Sequence, residues 1–125
     1  MDDHVLQWLL AGDPSVIFQT KRDLMNAQAH ELQVLKSRIA TQGWGADLLA
    51  RQEHDGRWAG AIYSPKWTST HYTLMLLMQL GLSSDNQQAK KGCSVLLDYG
   101  FFKDGGINHF KSLKHSETCV TAMTL

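Results

Sequence analysis

The feature that most constrains this chain is that it repeats itself. KWTSTHYTLML at 66–76 aligns with KHSETCVTAMT at 114–124, 48 residues later. The register pairs Lys66 with Lys114, Thr68 with Ser116, Thr70 with Thr118, Thr73 with Thr121 and Met75 with Met123, and it sets Leu48-Leu49 on Leu96-Leu97. Between these anchors, Asp55-Gly56-Arg57-Trp58 matches Asp104-Gly105-Gly106-Ile107 at an offset of 49. A period of this size is the mark of a repeat architecture, in which each unit buries its apolar face only against a neighbour. The unit reads as amphipathic helix, D-G turn, apolar helix.

The rest of the chain agrees with an all-α reading. Val5–Leu10 forms a short apolar segment stopped by Gly12, and Asp13-Pro14 supplies an N-cap followed by proline at the first helical position. This predicts a helix from Pro14 to about Met25. Leu32, Leu35 and Ile39 recur at three and four, a helical period, and Gly43-Trp44-Gly45 interrupts before Leu48-Leu49, which predicts a break or a second short helix ending near Gln52. From Trp67 to Leu80 the residues are apolar almost all round, which predicts a helix buried on every side. Asn86–Tyr99, with Ala89, Cys93, Leu96 and Leu97 on one stripe, predicts a helix that faces water on the other. The expected organisation is one domain over 1–125: N-terminal helices or a degenerate repeat at 1–40, a first clear repeat at 41–82, and a second repeat at 84–125 that breaks off inside an apolar helix.

Gln52, Gly56 and Trp58 stand in the order Q-x-x-x-G-x-W. This resembles the QW repeat of squalene-hopene and oxidosqualene cyclases, and the D-G-G turn at Asp104, Gly105 and Gly106 is similar to the glycine-rich repeats of protein prenyltransferase β-subunits. The resemblance covers the chain from about Ile39 onward. It implies an α/α-toroid, here a partial barrel of repeated antiparallel helix pairs, as in an N-terminal fragment of a longer protein. It also implies that the Gln52 amide satisfies backbone groups at helix ends, that Trp58 packs against the neighbouring repeat, and that an apolar lumen holds isoprenoid chains.

The catalytic apparatus of those families does not carry over. There is no D-x-D-D run, and no D-x-C to begin a zinc site; Cys119 and His115 are a loose pair, and a catalytic zinc needs three protein ligands. The expectation is therefore no metal, no cofactor and no catalytic residue within this chain, with an enzyme whose acid lies beyond Leu125, or a structural repeat that binds protein, as alternatives. The leading expectation is a groove between inner helices that binds an apolar or isoprenoid-like small molecule.

Five residues are candidates for that groove. Trp67, His71 and Tyr72 open the apolar helix, where stacking and one imidazole suit a flat or cationic ligand. Against this, all three also read as core aromatics and a hydrogen-bonded helix histidine. Glu117 takes the place of Ser69 in the second copy and reads first as a helix-terminus charge, with a general acid as the alternative. His109 and His115 flank FKSLK in a loop, where a histidine is ordinarily solvated. Asp55 and Asp104, each before glycine, are explained by turn chemistry.

Composition narrows the partners. Twelve basic residues balance twelve acidic ones without a basic block, which argues against nucleic acid and acidic membrane surfaces. The longest apolar run, LMLLMQL, is too short to span a bilayer. Two isolated cysteines, Cys93 and Cys119, and the absence of a charged leader ahead of an apolar run fit a cytoplasmic location. An open arc of apolar helices is expected to associate with itself or with a missing C-terminal part.

Overall fold

A computed structural model describes Asp2–Leu125 and is all-helical, with seven helices and no strands among the described residues. They are α1 Asp3–Leu10, α2 Pro14–Leu24, α3 Ala29–Ile39, α4 Gly43–Ala50, α5 Thr70–Leu80, α6 Gln87–Gly100 and α7 Thr118–Thr124. None is long and apolar enough to cross a membrane. The residues divide into two compact units, one running up to Arg51 and including Leu77–Asn86, the other made of Gln52–Leu76 and Gln87–Leu125.

In the first unit the caps set the helix starts. Asp2 caps α1 by accepting from His4 N at 3.0 Å. Asp13 accepts from Ser15 N at 2.9 Å and Ser15 Oγ at 2.6 Å to cap α2, and its other oxygen accepts from Trp44 N at 2.8 Å, in the first turn of α4. One carboxylate therefore serves two helices. Burial alone would push its pKa up, but the hydrogen bonds from Ser15 and Trp44 hold it below the ordinary carboxylate value. The backbone must approach Asp13 closely here, and Gly43, at φ +66°, leaves no room for a side chain beside that carboxylate. Gly43-Trp44-Gly45 thus begins α4 instead of interrupting the chain before it. Phe18, Leu35, Ile39 and Leu80 form the core, with Ile17, Leu32, Leu48 and Leu82 packed around it.

In the second unit the two D-G turns have the same hydrogen bonds at the same offset. Glu53 N donates to Arg57 O at 2.8 Å, and Phe102 N to Gly106 O at 2.9 Å. Gly56 N donates to Glu53 O, and Gly105 N to Phe102 O, both at 2.9 Å. Asp55 and Asp104 each accept from the backbone N–H two residues on, at 3.0 and 3.2 Å, and Gly56 and Gly105 sit at φ +94° and +89°. In each case a threonine of the following helix then holds the residue after the turn. Trp58 N donates to Thr70 Oγ1 at 3.0 Å, and Ile107 N to Thr121 Oγ1 at 2.8 Å. Thr121 thus does the work of Thr70 although the sequence register pairs it with Thr73, a shift of about one helical turn that keeps the same face.

Two expectations about burial are corrected. The apolar helix begins at Thr70, not Trp67, and it is buried along one face only: Thr70, His71, Thr73, Leu77 and Leu80 are buried, whereas Leu76, Met78 and Gln79 are exposed. An all-round apolar sequence does not by itself enclose a helix; neighbours on every side must do so. On α6, Cys93 and Leu97 are exposed and the buried stripe runs through Gly92, Leu96 and Gly100. The cause is Trp58. Its indole is 2% exposed and lies so close to α6 that a Cβ at Gly92 would stand 2.8 Å from it. Gln52 Nε2 donates to Gly56 O at 3.0 Å and to Gln88 O at 2.8 Å, so it ties the turn to the first turn of α6.

Candidate functional site

Four segments of the second unit bring seven rings together. Tyr63 and Trp67 come from the loop before α5, His71 and Tyr72 from its first turn, Tyr99 from the end of α6, and His109 and Phe110 from the loop after the second turn. Tyr63 is the hub, with its ring centroid 5.1 Å from His71, 5.3 Å from Tyr72, 6.0 Å from His109 and 5.0 Å from Phe110. Trp67 lies 5.2 Å from Tyr72, and Tyr99 6.4 Å from His109.

Local bonding explains why the segments meet. Ser69 Oγ donates to Tyr63 O at 2.8 Å, and the Tyr63 and Tyr72 hydroxyls share a hydrogen bond of 3.1 Å, so the loop folds back on the start of α5. On the other side, Asn108 N donates to Gly100 O at 2.8 Å, Asn108 Nδ2 to Leu113 O at 2.9 Å, and Phe110 N to Asn108 Oδ1 at 2.7 Å. These bonds fix His109 between α6 and the loop. Gly100 is required there, because a Cβ would lie 2.5 Å from His109 Cε1 and 2.7 Å from Nδ1.

The polar groups of this region divide sharply. Ser69, Thr70, Thr73 and Asn108 are buried and hydrogen-bonded. His71 and His109, at 1% and 8% exposure, keep nitrogens without a partner: no protein group reaches His71 Nε2 or either nitrogen of His109. His71 Nδ1 has only Thr124 Oγ1, at 3.5 Å. Burial lowers the pKa of His71; it pulls His109 down to about 4, with the neighbouring His71 adding to the shift. Both imidazoles are therefore neutral at pH 7, each presenting one donor and one acceptor nitrogen. The hydrogen bond with Tyr72 is the main reason the Tyr63 phenol is pushed up to about 12, with burial and the charges of Cys119 and Glu117 adding to it. That phenol stays protonated.

Trp67 forms the outer edge. Its side chain is 78% exposed, and its backbone sits at φ +71°, a region that bulky residues rarely occupy. Strain of this kind persists only where the surroundings impose it, and it concentrates at binding sites.

Of the five expected groove residues, Trp67, His71 and Tyr72 stand together. His115 and Glu117 do not join the ring cluster. His115 is exposed, with Nδ1 2.8 Å from Ser116 O, and Glu117 is the N-cap of α7, accepting from Val120 N at 3.1 Å. His109, expected to be a solvated loop residue, is instead buried at the centre. Tyr63, Tyr99 and Phe110 escaped the sequence reading because nothing local marks them; their contacts are made between distant segments. Asp55 and Asp104 hold turns, as turn chemistry predicts, and Asp104 also accepts from Ser116 N at 2.8 Å, which draws its pKa down. Among the described residues, no three His, Cys, Asp or Glu side chains gather where they could hold a metal ion.

Comparison of the chain with protein-family models, with curated proteins and with solved structures found no match.

Proposed function

We propose that this chain binds an apolar small molecule of isoprenoid type, held by the aromatic cluster of Tyr63, Trp67 and Tyr72 at the start of α5. The observation that carries the reading is Trp67: a large indole held in water, in a strained backbone conformation, beside Tyr72 and continuous with buried rings. An aromatic surface of this sort offers dispersion and stacking to a flexible hydrocarbon and loses little entropy in doing so. The resemblance of Gln52, Gly56 and Trp58 to cyclase QW repeats, and the shared bonding of the two D-G turns, support an α/α-toroid type of architecture whose inner helices would line such a site.

The test is a titration with the C10 hydrocarbon myrcene followed by calorimetry. Saturable binding is expected, weakened about tenfold or more by Trp67→Ala or Tyr72→Ala while the melting temperature of Trp67→Ala stays unchanged, since an exposed indole contributes little to the core. Absence of saturable binding, or binding indifferent to both substitutions, would overturn the proposal.

A further inference from the structure

The two buried histidines have a chemistry that an apolar ligand alone does not explain. A buried polar group without a partner bears the cost of its lost hydration with nothing in return, and almost all such groups in folded proteins are paired. This unit observes the rule at Ser69, Thr70, Thr73 and Asn108, and departs from it at three nitrogen atoms of two rings whose centroids are 5.8 Å apart. The departure lies inward of Trp67 in the chain of ring contacts, which runs from Trp67 to Tyr72, from Tyr72 to Tyr63 and His71, and from those two to His109.

We infer that His71 and His109 are the polar end of the ligand site and select a ligand whose hydrocarbon chain ends in a hydroxyl group. The inference rests on the apolar-ligand reading above and names the substrate class: an isoprenoid alcohol in place of the hydrocarbon. A hydroxyl is the simplest group that fits, because it donates one hydrogen bond and accepts others, and two neutral imidazoles offer it an acceptor nitrogen and an N–H donor. A carboxylate or phosphate head is disfavoured, because no cationic side chain stands in the cluster and both imidazoles are neutral. The α6 backbone at Gly100 closes the Nδ1 side of His109, and Thr124 Oγ1 stands 3.5 Å from Nδ1 of His71, which leaves Nε2 of each ring for the hydroxyl. Tyr63, packed on both imidazoles and backed by Phe110, keeps water out of the contact and strengthens it.

The experiment compares geraniol, a C10 alcohol, with myrcene, a C10 hydrocarbon, on the intact chain by calorimetry and by ¹⁵N NMR of the histidine rings. Geraniol is expected to bind about tenfold tighter, and to shift the Nε2 resonances of His71 and His109 while leaving that of His115 in place. His109→Phe should abolish the preference for geraniol over myrcene, and His109→Gln, which keeps a hydrogen-bonding group, should retain part of it. If His109→Phe fails to fold, the ring resonances of the unmodified protein decide. Equal affinity for the two probes, or a geraniol preference without movement of either Nε2, would overturn the alcohol inference while leaving the apolar site intact. If neither probe binds, both readings fall.

Discussion

His71 and His109 stand edge to face, their ring centroids 5.8 Å apart at an interplanar angle of 69°. Each is buried, and each favours its neutral form. In the unfolded chain both titrate near 6.5, whereas the folded protein holds His109 at about 4 and His71 below its ordinary value. Between those limits the unfolded state binds more protons. Their contribution to stability is thus fully present above pH 6.5 and is lost as pH falls through the folded values. Acidifying from pH 7 to pH 4 should lower the unfolding free energy by roughly 2–3 kcal/mol on account of His109 alone. Urea melts across this range check it, and a His109→Phe chain that folds should show a flatter profile.

Trp58 packs against α6 at Gly92, where a Cβ would stand 2.8 Å from the indole. Trp58→Ala is expected to cost about 3–5 kcal/mol, because it empties a site from which water is excluded. Gly92→Leu should be comparably damaging for the opposite reason, since its side chain would enter the space of the indole. Thermal melts read both. A Trp58→Ala chain with an unchanged melting temperature would contradict this packing.

The threonines that follow the two turns should be equivalent in effect. Thr70→Val and Thr121→Val each remove the acceptor of one backbone N–H, that of Trp58 and that of Ile107 respectively. Each is expected to cost about 1–3 kcal/mol, whereas Thr118→Val, at an exposed position the sequence register would equate with Thr70, should be nearly neutral. Chemical denaturation of the three variants distinguishes the contact register from the sequence register.

Those turns show which parts of the molecule were legible in advance. Asp55-Gly56 and Asp104-Gly105 declared themselves because a turn is local: an acid that accepts from the chain two residues on and a glycine at positive φ are written in four consecutive positions. Asp13-Pro14 declared α2 for the same reason. The second duty of Asp13, to Trp44 N, was not legible, because it depends on where α4 comes to lie. The exposure of Leu76 and Met78 was hidden by composition, since hydropathy records what a residue prefers and not which neighbours are present. The candidate site was legible only in its contiguous part, Trp67, His71 and Tyr72. His109 and Tyr63 reach it across long stretches of chain, as Thr124 reaches His71 from 53 residues away.

Asp13 itself gives a test of the first unit. Asp13→Ala removes the cap of α2 and the acceptor for Trp44 N together, and should cost about 1–2 kcal/mol. Asp13→Asn, which keeps an oxygen acceptor but loses the charge, should cost less. Circular dichroism melts of the two variants check the order, and a neutral Asp13→Ala would show that neither helix depends on this carboxylate.

The most direct test of the central claim, that the ring cluster at the start of α5 is where a small apolar molecule binds, is the pattern of intermolecular nuclear Overhauser effects between myrcene and the aromatic rings. The account predicts contacts to Tyr63, Trp67 and Tyr72, and none to Trp8 or Trp44 of the first unit. Contacts confined to Trp8 and Trp44, or saturable binding without contact to any ring of the cluster, would contradict it.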